Sequence, residues 1–337
     1  MATAAQEPGG ILIETDCLKA RINLEGYVSG VQGGSFLDKR TRALDLGFGL
    51  DIVDFLLEPG DDQGDLPPDQ RYQYNDKVHG KLPRRYVELP QICTQAGKLP
   101  AEIIEGPDFV AVRQWFRYTQ AAKGYVPGSL WEQTLVFTDG PRYFLAADRV
   151  TSANAVEALL LRIDMPGHLK HRQGDSFEQI YLSSHGTIPS AEFLEDFPPD
   201  GKFLYLRDDA HLPERMIRAY QVRLDGAPGP WLAGMTLEPA VVYDAWCHQR
   251  GYVCFIQENG GRPIQPGEQL TAAYVTGWFD SIEEMQAVFD RHRGAADLAV
   301  TPDGWHLVPA RQGGAEAERR KGRGLLPGRL QGDHDHG

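Results

Sequence analysis

The sequence predicts an all-β protein: a large antiparallel β-sandwich with one short helix near the C-terminus. Apolar and polar residues alternate through Leu18, Ala20 and Ile22, which is the period of a half-buried strand. Similar runs recur along the chain and are separated by Gly, Pro and Asp turn residues. A dozen or more such runs in about 300 residues fit a very large sandwich better than a small one.

The predicted strands follow one another from the beginning of the chain. Gly33-Gly34 marks a tight turn or bulge in the first group of strands, and Asp139-Gly140 is a strong hairpin signal further on. After the hairpin we expect strands at 156–163, 203–207, 217–224, 230–237, 241–248, 252–257 and 269–278, and a short one at 305–308.

One segment has a helical pattern. Ser281 stands where a residue caps a helix N-terminus, and Glu283 and Glu284 suit the positive end of the helix dipole. The apolar residues that follow share one face, and the pattern ends near Gly294.

The chain is predicted to hold one domain. We expect a flexible leader at residues 1–10, a single β-sandwich domain over 11–310, and a disordered tail over 311–337, which is polar and rich in Gly and Arg. Residues 59–76 are rich in Pro, Gly and Asp and predict a long surface loop. Loops of this length in a compact domain often form the rim of a site.

Composition and charge disfavour several kinds of partner. The net charge of −13 disfavours nucleic acid and anionic membranes, since both need a basic surface. No run approaches the ~18 apolar residues of a membrane span. The start of the chain lacks the pattern of a signal peptide, so we expect a cytoplasmic protein. No phosphate-binding or dinucleotide-binding glycine motif occurs, and we expect no cofactor.

The four cysteines are Cys17, Cys93, Cys247 and Cys254. At this density we expect buried free thiols in a reducing compartment. A disulfide between Cys247 and Cys254 across a hairpin is the alternative. No CxxC pair exists, which argues against a thiolate zinc site.

The first candidate site lies at 75–88, directly after the long loop. Within eight residues it holds five side chains that could contact a ligand: His79, Lys81, Arg84, Arg85 and Tyr86. Two adjacent arginines on a strand cannot both face inward, so we expect one in a cleft and the other in solvent. A guanidinium can bind a carboxylate or sugar hydroxyls. A solvated, charged strand edge is the alternative.

The second candidate follows the strand at 156–163. Pro166-Gly167 predicts a turn before His168, and His171 comes three residues later. Either histidine is a candidate for sugar binding or catalysis. A metal held by His168, His171 and Asp175 is a weaker alternative, and we expect no metal here. An ordinary surface loop is the remaining interpretation.

Two further candidates lie near 245–258. Glu258 is predicted at the end of an apolar strand, where a carboxylate suits general-base work; a solvated turn residue is the alternative. Trp246 offers an aromatic face for a sugar, with His248 beside it, although a tryptophan here is often part of the core.

The order of these segments resembles the galactose mutarotase-like superfamily of aldose 1-epimerases. The chain opens with strands, a glycine-marked turn and the turn Asp38-Lys39-Arg40-Thr41. Later come His79-Gly80, His168 after a strand pair, and Glu258 before Pro266-Gly267-Glu268. The family's H-P-Y-F after the second histidine is replaced here by His168-Leu169-Lys170-His171.

The resemblance implies a carbohydrate-active sandwich that interconverts sugar anomers or epimers. It implies that His79 holds sugar hydroxyls, that His168 is the general acid at the ring oxygen, and that Glu258 is the general base at the anomeric hydroxyl. Two alternatives stay open. One is a polysaccharide lyase that cleaves uronate-containing glycans by β-elimination; the other is a non-catalytic carbohydrate-binding protein. The oligomeric state is left open.

Overall fold

The computed structural model describes residues 1–60, 67–68, 71–72, 83–198, 201–248 and 251–310. Its strands, in chain order, are β1 (Thr3–Glu7), β2 (Gly10–Glu14), β3 (Leu18–Asn23), β4 (Val31–Gln32), β5 (Leu37–Asp38), β6 (Gly49–Leu50), β7 (Ile52–Pro59), β8 (Arg84–Leu89), β9 (Ala101–Glu105), β10 (Phe109–Arg117), β11 (Gln120–Ala121), β12 (Leu130–Thr138), β13 (Tyr143–Thr151), β14 (Val156–Leu169), β15 (Phe177–Leu182), β16 (Gly186–Pro189), β17 (Tyr205–Leu206), β18 (Met216–Leu224), β19 (Ala227–Thr236), β20 (Val242–Trp246), β21 (Val253–Ile264), β22 (Gln269–Phe279), β23 (Ala295–Thr301) and β24 (Gly304–Pro309). The α-helices are α1 (Ile92–Gln95) and α2 (Ile282–His292), and short 3-10 turns lie at Ser190–Phe193 and Pro239–Val241.

Two large antiparallel sheets form the sandwich. The nine-stranded sheet has the order β16-β15-β18-β19-β22-β13-β12-β10-β9, and the seven-stranded sheet has the order β11-β8-β7-β14-β21-β20-β17. Alternate residues of both sheets point into a shared apolar layer, which includes Trp131, Phe144, Leu161, Phe255 and Trp278. The predicted fold class, a large antiparallel β-sandwich, is confirmed.

The N-terminal segment differs from the prediction of a flexible leader. Thr3–Glu7 pair with Gly10–Glu14 as a regular antiparallel hairpin, with Gly9 in the left-handed region at φ 71°. β1 belongs to a third sheet that contains β1 to β6. The polar composition of 1–10 hid this strand, because an edge strand needs only one apolar face. Residues 311–337, the predicted tail, lie outside the described residues.

The outer face of the nine-stranded sheet is covered by apolar contacts. Met285, Val288 and Phe289 of α2 pack on it together with the β23–β24 hairpin. Ser281 caps α2 by accepting a hydrogen bond from the Glu284 N–H at 3.2 Å, so the predicted helix is confirmed.

The outer face of the seven-stranded sheet carries aromatic and charged side chains instead. Phe55, Tyr72, Tyr86 and Tyr243 form a separate cluster there. No helix in the described part of the chain is long and apolar enough to cross a membrane.

Candidate functional site

Four charged side chains meet on the outer face of the seven-stranded sheet. They come from four strands: Arg84 from β8, Arg162 from β14, Asp244 from β20 and Glu258 from β21. In the sheet register Glu258 lies opposite Arg162 on one side and Asp244 on the other. All four side chains are at most 1% exposed. The pairing of the strands therefore brings together residues that are far apart in the sequence.

Glu258 is the centre of this cluster. Its Oε2 accepts a hydrogen bond from Arg84 Nε at 2.7 Å, and its Oε1 accepts one from Arg162 Nε at 2.9 Å. Arg84 also donates through Nη2 to Asp244 Oδ2. Arg84 thus joins the two carboxyl groups, and Arg162 holds Glu258 from the opposite side.

Aromatic rings surround the two guanidiniums. Arg162 lies over the rings of Tyr72 at 5.0 Å and Trp246 at 5.2 Å, and it donates a hydrogen bond to the Tyr72 hydroxyl. Arg84 lies 5.7 Å from the centre of the Tyr243 ring. Tyr86 packs edge-on against Tyr72. Such cation–π contacts are strongest where water is excluded.

The two carboxyl groups have opposite protonation preferences. Burial alone would raise the pKa of Glu258, but the Arg84 and Arg162 guanidiniums outweigh it and lower the pKa to about 2. Burial raises the pKa of Asp244 well above its ordinary value, and the charge of Glu258 raises it further. The surroundings therefore favour the ionised form of Glu258 and the protonated form of Asp244.

The position of Glu258 corrects the prediction of a strand end. β21 continues past Glu258 through Gly260-Gly261 to Ile264, so Glu258 lies in the middle of the sheet. Gly260 has φ +111°, and a Cβ there would come within 2.1 Å of the Leu159 carbonyl oxygen. The glycine pair therefore marks an irregularity where β21 passes close to β14, and not a turn.

The predicted turn before His168 is also wrong. β14 runs through Pro166-Gly167 to Leu169, with a register shift between Asp164 and His168. A Cβ on Gly167 would come within 2.5 Å of the Gly49 carbonyl oxygen, so glycine is needed because another backbone passes close by. His168 consequently lies on the strand, on the same sheet as Glu258.

His168 is surrounded by titratable side chains. Its Nε2 lies 3.2 Å from Cys254 Sγ, and its Nδ1 lies 3.7 Å from Asp164 Oδ2. His248, another predicted residue, approaches the same sulfur at 3.7 Å. The His168 side chain is 26% exposed, so this end of the site reaches solvent.

His168 and Glu258 share a sheet face without touching. His168 pairs with Cys254 in the register, and Cys254 precedes Glu258 by four residues, which corresponds to ~13 Å along a strand. Ile256, which points to the same face as Cys254 and Trp246, lies between them. The buried Ile256 side chain therefore separates the imidazole from the carboxylate.

The remaining predicted residues have other surroundings. Arg85 is 30% exposed and pairs with Glu58 at 2.7 Å, so the adjacent arginines do point to opposite sides. His171 packs on the Phe177 ring at 4.7 Å, and burial lowers its pKa. His79 and Lys81 lie outside the described residues.

Trp246 and the two cysteines near it are buried. Trp246 has no exposed surface, and its ring packs on Arg162 rather than facing solvent. Cys247 and Cys254 are both free thiols. They lie on opposite faces of the sheet, because Cys247 belongs to the central core and Cys254 to the outer cluster with Trp246.

The segment 168–175 was also a candidate for metal binding. Among the described residues, no group of three His, Cys, Asp or Glu side chains is placed to hold a metal ion. Asp175 accepts a hydrogen bond from the backbone N–H of Lys170 instead.

Sequence reasoning missed Arg162, Asp244 and Tyr72. A usable signal existed for the first two, because each lies within a mostly apolar run, LLLRIDM and VVYDAW. A charged residue in the middle of a buried strand must be paired. Tyr72 lies within the predicted loop at 59–76, where no periodicity indicates burial.

Comparison with known proteins gives only distant structural likeness. No family model matches the chain, and no curated protein matches it. A putative aldose 1-epimerase from Klebsiella pneumoniae is similar with a TM-score of 0.42 and 10% identity over 84% of this chain and 82% of that one. Galactose 1-epimerase from Lactobacillus acidophilus has a TM-score of 0.40 and 7% identity over 83% and 98%.

A 4-alpha-glucanotransferase from Thermococcus litoralis has a TM-score of 0.38 and 12% identity over 82% of this chain. The match spans 39% of that enzyme's chain. At these scores the fold of this chain rests on its own strands and their register.

Proposed function

We propose that this chain acts on a sugar or sugar acid by acid–base chemistry of the mutarotase or epimerase kind, at the outer face of the seven-stranded sheet. The observation that carries the proposal is the joining of Arg84, Glu258 and Asp244 among aromatic rings. Planar charged groups beside aromatic walls supply the donors, acceptors and stacking surfaces that a polyhydroxylated ring requires.

The two carboxyl groups supply complementary proton-transfer roles. An ionised Glu258 can accept the proton of an anomeric hydroxyl, while the Asp244 carboxyl or the His168 imidazole can donate a proton to the ring oxygen. Carboxyl groups whose environments separate their pKa values are the usual basis of such a division. The two guanidiniums weaken Glu258 as a base. Hydroxyl groups of the ligand must therefore accept hydrogen bonds from Arg84 or Arg162 in place of Glu258 before Glu258 can take up a proton.

The test is anomer exchange measured by NMR across a panel of aldoses and uronic acids. We expect the wild type to accelerate exchange for at least one sugar, and Glu258→Gln and His168→Gln each to lose at least about tenfold of it. Asp148→Asn is the matched control, since it removes an equally buried carboxyl from the other sheet. Acceleration that survives both site substitutions would sink the proposal.

Carbohydrate binding without turnover is the second candidate. It is favoured by the saturation of Glu258, whose two oxygens already accept hydrogen bonds from two guanidiniums, and by the complete burial of the cluster. Sugar binding by calorimetry with no anomer exchange at any pH would select this function.

A further inference from the structure

A rim of two aromatic rings and a lysine lies at the exposed end of the site. The His168 ring stands edge-on to Tyr252 at 4.9 Å and to Phe48 at 5.2 Å. The ammonium group of Lys170 lies 4.7 Å from the centre of the Phe48 ring. The side chains of His168, Tyr252, Phe48 and Lys170 are all partly exposed, so this rim faces solvent.

The backbone fixes the rim in place. The Phe48 N–H donates to the His168 carbonyl oxygen at 3.2 Å. Gly47 precedes it at φ +84°, and a Cβ at Gly47 would come within 1.9 Å of that same carbonyl oxygen. Only glycine allows this approach, and it brings Phe48 against His168 although the two residues belong to separate segments.

Lys170 differs from its basic neighbour in its ion pairing. Arg172, two residues away, pairs with Asp196 at 3.2 Å and donates to the Leu194 carbonyl oxygen. Within the described part of the chain, no carboxylate lies within 4.0 Å of the Lys170 ammonium. Asp175, the nearest acidic residue in sequence, is turned toward the Lys170 backbone N–H.

We propose that Lys170, held on the Phe48 ring beside His168, recognises an anionic substituent of the sugar ligand, a carboxylate or a phosphate. The proposal rests on the proposed sugar-binding function and names the class of substrate. A lysine ammonium binds either group as a point charge, and the Tyr252 and Phe48 rings offer faces for the apolar side of the sugar ring. In a chain of net charge −13, a cation with no carboxylate partner among the described residues is suited to select an anion.

The test compares binding of glucose, glucuronic acid and glucose 6-phosphate, with the corresponding galactose series, by calorimetry. We expect the wild type to bind one anionic sugar about tenfold or more tightly than the neutral one. Lys170→Gln should abolish this preference, and Lys170→Arg should retain most of it. Preference for the uronic acid or for the phosphate distinguishes the two anion sources.

Arg172→Gln is the matched control, because it makes the same charge change in the same turn. If Arg172→Gln lowers the anion preference as much as Lys170→Gln, the effect is general electrostatics and the inference fails. Equal affinity of the wild type for neutral and anionic sugars also overturns it, while the proposed function stands. If no sugar binds, both the inference and the proposed function fail.

Discussion

The two outer faces of this sandwich are covered in opposite ways. On the nine-stranded sheet, Met285, Val288 and Phe289 of α2 and the β23–β24 hairpin seal an apolar surface. On the seven-stranded sheet, the equivalent surface holds Arg84, Arg162, Asp244 and Glu258 out of water. Both surfaces are buried, but the second buries a group of four charged side chains.

This difference separates a surface that stabilises the fold from the surface that carries the proposed site. Apolar burial by α2 stabilises the fold directly. Buried ion pairs add little net stability, because desolvation offsets most of the Coulomb attraction. The four buried charged groups of the seven-stranded sheet are therefore the basis of the proposed site.

The largest expected effect tests the charged face. Arg162→Met removes one of the two guanidiniums that neutralise Glu258 and leaves a buried carboxylate without one of its partners. We expect the free energy of unfolding to fall by about 4 kcal/mol, measured by urea denaturation. Arg113→Met, which breaks the exposed pair with Glu102, should cost under ~1 kcal/mol. Equal losses in the two variants would show that the cluster is not desolvated.

The next effect tests the apolar face. Met285 of α2 is fully buried against the nine-stranded sheet, so Met285→Ala should lower the free energy of unfolding by about 3 kcal/mol through lost burial and a cavity. Sugar binding should be unaffected once the protein is folded. A Met285→Ala protein that is stable but has lost its ligand would remove the functional distinction between the faces.

A third prediction contrasts the site with the layer between the sheets. Burial raises the pKa of Asp148 to about 7, against the hydrogen bonds it receives from Trp131 and Gln133. The folded state therefore binds a proton that the unfolded chain, with an aspartate pKa of about 3.9, has lost. Stability from this group is fully present below about pH 4 and is lost as the pH rises toward about 7.

Between about pH 5 and pH 7 the wild type should lose on the order of 2 kcal/mol of its free energy of unfolding through this group. We expect Asp148→Asn not to show that loss. The stability contributed by Glu258 depends on pH in the opposite direction. Because its pKa is lowered, that contribution is lost as the pH falls from about 4 toward 2. Denaturation curves at several pH values measure both. An Asp148→Asn protein with the wild-type pH profile would contradict the assignment.

The smallest effect concerns the cap of α2. Ser281→Ala removes the acceptor of the Glu284 N–H and should cost about 1 kcal/mol. Ser281→Asp should restore it. Thermal melts measure both variants, and an unchanged melting temperature in Ser281→Ala would mean that the cap contributes nothing to the stability of α2 on the nine-stranded sheet.

Much of the fold was predictable because strand periodicity is local. Alternation at Leu18, Ala20 and Ile22 and the cap at Ser281 needed no knowledge of the rest of the chain. The strand continuations at Pro166-Gly167 and Gly260-Gly261 were not predictable, because these pairs look like turns. Only the close approach of another strand shows that they are irregularities within a sheet.

The site was predictable in part. Glu258, His168 and Arg84 were singled out by residue type and by the resemblance, and the sheet register places them on one face. Asp244 and Arg162 could be recognised only as charges within apolar runs. Their partners are distant in sequence, so neither the pairing of Arg84 with Asp244 nor the opposite pKa shifts of the two carboxyl groups follow from local pattern.

One isoleucine on each outer face provides the most direct test of the central claim, that the seven-stranded face binds the sugar. Ile256 lies between His168 and Glu258, and Ile217 lies under the apolar cover of the nine-stranded sheet. With both δ1 methyl groups ¹³C-labelled, titration of the sugar panel should shift the Ile256 signal and leave Ile217 unmoved. A sugar that binds and shifts Ile217 alone, or neither methyl, would contradict the account.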